Sequence, residues 1–173
     1  MRSLLLALAA CTGTPDSDTP FAGPVEGTDA VIGLAGGRLY LCGGPETMGE
    51  LNRWFDVDVS DGLFGEDDGW SVIGERDGDG WTGDLVDPTG GISPFTLDPA
   101  TGADGPYAAE SPVGECPVGA VVLDGRMQGV ACAAVLAPAQ VVPVGVIGAG
   151  RDPIEVRTEG EPALEFVVVP VEP

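Results

Sequence analysis

Gly119-Ala-Val-Val-Leu-Asp-Gly-Arg-Met-Gln-Gly-Val-Ala131 holds the fold in miniature. Two apolar runs flank Asp124-Gly125, and an Asp-Gly pair supplies the positive φ angles of a two-residue hairpin turn. Leu123 then faces Arg126, and the pairing runs outward to Pro117 and Cys132. The same signal recurs along the chain. Ala30–Leu34 and Arg38–Cys42 flank Ala35-Gly36-Gly37, and Trp70–Glu75 and Gly80–Val86 flank Arg76-Asp-Gly-Asp79. Pro94–Leu97, Gly105–Ala109, Val141–Val146, Ile154–Arg157 and Ala163–Val171 are further strand candidates. Strands every ten residues or so, with no helix long enough for a crossover, predict an all-β antiparallel meander. It is expected to have about eight to ten short strands and to close as a small barrel or sandwich. One short helix is expected near 45–55, because Met48, Leu51 and Phe55 recur at spacings of three and four behind Pro45.

Composition agrees. Twenty-eight glycines and sixteen prolines disfavour a helical bundle, and 43% apolar residues exclude global disorder. Charge is lopsided: 28 acidic residues against seven basic ones give a net −21, and every basic residue is arginine. Such a chain is repelled by phosphate backbones and anionic lipid, so nucleic acid is not an expected partner. The absence of histidine removes Ser-His-Asp and Cys-His nucleophiles and the commonest zinc ligand. The absence of lysine removes Schiff-base and Ser-Lys chemistry.

The opening Met1-Arg2-Ser3-Leu4-Leu5-Leu6-Ala7-Leu8-Ala9-Ala10-Cys11 runs from a positive charge through an apolar stretch to small residues, the order of an export signal. Leu8-Ala9-Ala10-Cys11 resembles the lipobox of bacterial lipoproteins. The resemblance implies that residues 1–10 are a signal peptide, cut before Cys11. It also implies that the Cys11 sulfur carries a diacylglycerol and that the new amine is acylated. Several acyl chains give stable anchoring where one is marginal. The expected partners are therefore the lipid membrane, through acylated Cys11, and an unidentified envelope or extracellular protein or glycan. Thr12 offers no retention signal, which leans the location towards the outer membrane. Residues 11–28 read as a polar, Pro-containing disordered tether, and residues 29–173 as a single β-domain.

Outside the cytoplasm, Cys42, Cys116 and Cys132 suggest one disulfide and one leftover thiol. Hairpin register puts Cys116 one residue off Cys132, so that pair is preferred over Cys42 with either partner.

The order of these pieces is also similar to uncharacterised secreted β-domains of bacteria. The likeness lies in Gly-Arg-Leu-Tyr-Leu-Cys-Gly followed by Trp54-Phe55, and in Val-Leu-Asp-Gly-Arg-Met-Gln-Gly-Val. It spans residues 30 to about 131 and departs at an acidic insertion from Asp56 to Gly69. It implies fold and export, and no activity.

Asp77-Gly-Asp-Gly-Trp-Thr-Gly-Asp84 alternates carboxylates with glycines, so Asp77, Asp79 and Asp84 are calcium candidates. The pattern is not an EF-hand, because Trp81 and Pro88 stand where ligands belong. Trp81, just past the turn, is the candidate platform for a glycan, with Trp54 and Trp70 as companions. No cofactor other than Ca2+ is suggested. With 28 acids, a chance carboxylate pair is inevitable, so none marks a catalytic site. The expected function is a membrane-anchored, non-catalytic β-domain that binds or scaffolds. The alternatives are a calcium- or glycan-binding module and a carboxylate-dependent hydrolase.

Overall fold

The computed structural model describes residues 19–110, 118–133, 137–160 and 162–173. The chain is an all-β antiparallel meander, but it closes twice. Strands β1 (Phe21–Pro24), β2 (Val31–Ala35), β3 (Arg38–Cys42), β4 (Asn52–Asp58), β5 (Leu63–Asp67), β6 (Trp70–Asp77), β7 (Gly80–Val86) and β8 (Ile92–Pro99) form one closed barrel. Strands β9 (Gly105–Ala108), β10 (Gly119–Leu123), β11 (Arg126–Ala133), β12 (Ala137–Pro143), β13 (Ile154–Thr158) and β14 (Glu165–Pro170) form a second. The expected barrel of about eight to ten strands is thus a pair of barrels, with fourteen strands among the described residues.

Turn chemistry sets the hairpins. Asp124 and Gly125 both have positive φ (53° and 71°), and Leu123 faces Arg126, as the turn requires. The bore of each barrel then selects its filling. The eight-stranded barrel takes Phe21, Phe55, Trp81 and Phe95 with a shell of leucines. The six-stranded one has a narrower interior and is filled by Ala120, Val122, Ala131, Val141, Val156 and Val168 around Tyr107.

The barrels stand side by side. Leu39 and Leu41 point into the first barrel, while Tyr40 and Cys42 point out of it, against Val121 and Val130 of the second. This explains why β3 and β10 read as continuous apolar runs: both of their faces are covered. Gln128 on β11 bridges the junction, its Nε2 donating to the carbonyls of Asp29 (2.9 Å) and Cys42 (2.7 Å). Arg151 fastens an end of the second barrel. Its guanidinium donates to the carbonyls of Asp104 (2.7 Å) and Val171 (2.9 Å) and lies over the Tyr107 ring.

Three expectations are corrected. The helix near 45–55 is a single turn, in which the Leu51 amide donates to the Thr47 carbonyl (2.9 Å). Beyond it, Asn52–Asp58 is strand β4, whose residues 52–56 pair one by one with β3 and whose last two pair with β5. A long-range ladder, with Trp54, Phe55 and Val57 suited to it, overrides the local period. Leu51 and Phe55 still reach the core, one from a turn and one from a strand. The tether does not extend to residue 28, because Phe21–Pro24 closes the first barrel against β8 and Val25 bridges to Phe95. The acidic segment 56–69, to which the sequence reading assigns no strand, contains β5 and a further two-residue turn at Asp68-Gly69. Cys11 and Cys116 lie outside the described residues, as does the side chain of Cys132, and with them the proposed lipidation and disulfide. Cys42 is buried and unpaired.

Asp29 caps the turn after β3, accepting from the Glu46 amide (2.7 Å) and the Thr47 hydroxyl. Burial pushes its carboxyl up, but the Thr47, Glu46 and Gly44 bonds together outweigh that and hold it below the ordinary carboxylate value. A lowered folded value means a contribution present above the unfolded pKa and lost as pH falls through the folded one. Asp29→Ala is therefore expected to cost about 1 kcal/mol at neutral pH, allowing for solvent screening at this half-exposed site. Urea melts across pH should show the gap from wild type closing below about pH 4.

Candidate functional site

The structure separates the residues that the sequence grouped. Trp81 is only 2% exposed; its ring fills the first barrel beneath the Arg76 guanidinium, 4.1 Å from the centroid. It is not a ligand platform. Trp54 stacks on Tyr40 at 4.5 Å, towards the second barrel, and Trp70 lies under Arg53 at 4.8 Å. The three indoles share no face.

Asp77 and Asp79 sit at the β6–β7 tip, where Asp77 pairs with Gly80. Asp84 lies four residues up β7, opposite Ile73, roughly 13 Å along the strand. Among the described residues, no group of three or more acidic or cysteine side chains is placed to hold a metal ion.

Tyr40 and Cys42 form a fully buried polar spot between the barrels. The Tyr40 hydroxyl donates to Asn52 Oδ1. Burial pushes the Cys42 thiol up to about 12, which leaves almost no thiolate at neutral pH. The arrangement has the chemistry of a core, not of a nucleophile. Iodoacetamide at pH 8 is expected to leave Cys42 unmodified in the folded protein and to label it fully in urea. Peptide mapping reads that position alone, and rapid native labelling would show the junction to be open.

The surface that stands out is the outer face of β5 to β8. Phe64, Ile73 and Ile92 are 49%, 52% and 64% exposed. Register aligns Phe64, Ile73, Asp84 and Pro94 in one row across four strands. Beside the row lies a trench of about 390 Å³, lined by Ile73, Glu75, Thr82, Asp84 and Pro94 over the backbone of Gly74 and Gly83. The glycines are small for an inward reason: the Phe95 ring occupies the space where a Gly83 side chain would stand.

Each arginine of the first barrel is spent elsewhere. Arg38 lies over Trp54, Arg53 over Trp70, and Arg76 over Trp81. Among the described residues the one ion pair is Arg53–Asp67, at 3.1 Å. Among the described residues, the carboxylates of the trench therefore have no ion-pair partner.

Sequence reasoning placed Asp84 in a calcium reading and left out Phe64, Ile73 and Pro94. Period-2 alternation in β6 carries a trace of the outward Ile73, but only the register joins the four positions. Comparison with protein-family models, curated proteins and solved structures finds no match to this chain.

Proposed function

We propose that this is a lipid-anchored protein of the bacterial envelope, acylated at Cys11, whose double barrel works by binding a partner and not by breaking bonds. The outer membrane is the favoured location. The anchoring half rests on the Leu8-Ala9-Ala10-Cys11 motif and the polar stretch that follows it. The binding half rests on one observation: an exposed cross-strand row of Phe64, Ile73 and Pro94, broken only by Asp84, on a barrel whose strands are all paired. A closed barrel has no edge that needs covering, so large apolar side chains gathered on one outer face in water mark a contact surface. Acid-rich surroundings keep the body soluble while the strip stays exposed.

The test of anchoring is detergent partition of the wild type and of Cys11→Ser, with mass analysis of the amino terminus. Wild type should enter the detergent phase with a cysteine carrying a diacylglyceryl thioether and an acyl amide. The variant should stay in the aqueous phase. An unmodified Cys11 in protein recovered from the envelope would overturn the anchoring.

A further inference from the structure

We infer that the outer face of β5–β8 docks a cationic, apolar polypeptide segment, in which arginine or lysine alternates with aliphatic or aromatic residues. This rests on the reading of the double barrel as a binding body, and it adds the chemistry of the partner.

The cross-strand row sets a single carboxylate, Asp84, between Ile73 and Pro94, with Phe64 beyond Ile73. A guanidinium or ammonium head would meet Asp84 and Glu75 in the trench, while its aliphatic stem lay on Ile73 and Pro94. Neighbouring apolar residues of the same segment would cover Phe64 and Ile92, which with Ile73 are the exposed large apolar side chains of the face.

Charge complementarity selects the sign. Among the described residues no arginine pairs with a carboxylate of this face, the three of this barrel lying over indole rings away from it. The net −21 draws a basic segment in from a distance.

Geometry selects the size. Four strands at about 4.8 Å spacing span about 14 Å, more than one small cation covers and about the reach of four extended residues. Because the barrel is closed, the segment lies across side chains and does not add a strand. The second barrel packs on β1–β3, and β6 is diametrically opposite β2 in the ring, so the face stays open while the two barrels remain joined.

Calorimetric titration of the full chain tests this, using a peptide of about ten residues that alternates arginine and leucine. An arginine–serine peptide of the same charge and a glutamate–leucine peptide serve as comparisons. The arginine–leucine peptide should bind best. Asp84→Asn and Ile73→Ser should each weaken it about tenfold, roughly 1.4 kcal/mol. Glu155→Gln, on β13 of the other barrel, should change it less than about twofold. Circular dichroism checks folding, and Phe64→Ser stands in for Ile73→Ser if that variant fails to fold.

Equal binding of the arginine–serine peptide, or an equal loss at Glu155→Gln, would reduce the effect to diffuse charge attraction and overturn the proposal. Binding to phosphatidylcholine vesicles that Ile73→Ser abolishes would overturn it in favour of a membrane occupant. Self-association in sedimentation lost in the same variant would overturn it in favour of a second copy. Vesicle binding or self-association lost in Ile73→Ser would leave the double barrel a binding body with another occupant, whereas no binding to peptide, vesicle or second copy would overturn both readings.

Discussion

Trp81→Ala should lower the stability of the protein by about 3–5 kcal/mol, read from urea unfolding followed by far-ultraviolet circular dichroism. The indole is 2% exposed and belongs to the core cluster that includes Phe21, Leu34, Phe95 and Leu97. Its loss opens a ring-sized void that a closed set of eight strands cannot collapse around, because each strand is tied to two neighbours. Arg76 also loses the ring over which its guanidinium lies.

A second substitution separates volume from polarity. The Trp81 Nε1–H is buried without a hydrogen-bond partner among the described residues. Trp81→Phe removes that unsatisfied donor while keeping most of the aromatic bulk. The cost of the smaller ring is offset by the penalty released, so this variant should lie within about 1 kcal/mol of wild type. Alanine and phenylalanine variants of equal, near-native stability would place the indole in solvent and restore it as a ligand platform.

The misplacement of Trp81 shows where the sequence stops being readable. Its neighbour in sequence is a turn, which suggests a wet side chain. Alternation says otherwise: Trp81, Gly83 and Leu85 share a face of β7, and Leu85 is core. Parity outranks proximity to a turn. The hairpins at Gly36-Gly37 and Asp124-Gly125 were readable because their turn chemistry is local and strict.

Closure was expected, but that it happens twice was not readable, because it depends on β1 finding β8 and β9 finding β14, pairings set by twist and packing over long separations. The β5 strand was hidden because Leu63 and Phe64 are its only large apolar residues and acids crowd around them. The docking face inherits both obstacles. It joins Phe64 from the hidden strand to Pro94 on β8 through a register that no local window contains.

The junction between the barrels provides the second large effect. A β-carbon at position 119 would lie 2.6 Å from the Tyr40 ring, and the ring has nowhere to go. It is fully buried, stacked on Trp54, and held through its hydroxyl to Asn52. β10 cannot retreat either, because Ala120 and Val122 on its other face fill the second barrel. Gly119→Val should therefore cost about 3 kcal/mol through overpacking, and most of that cost should fall on the contact between the barrels.

The signature is a change in cooperativity. Wild type is expected to melt in one transition, and the variant in two as each barrel unfolds alone. Hydrogen exchange should show early loss of protection in β3 and β10, ahead of β6 and β7. Gly49→Val is the control, since nothing lies within 4 Å of a side chain there; its effect should stay within about 0.5 kcal/mol. If Gly119→Val matches wild type in stability and melts in one step, Tyr40 is not wedged against β10. The barrels would then have to be held by the Gln128 bonds and the remaining apolar contacts alone.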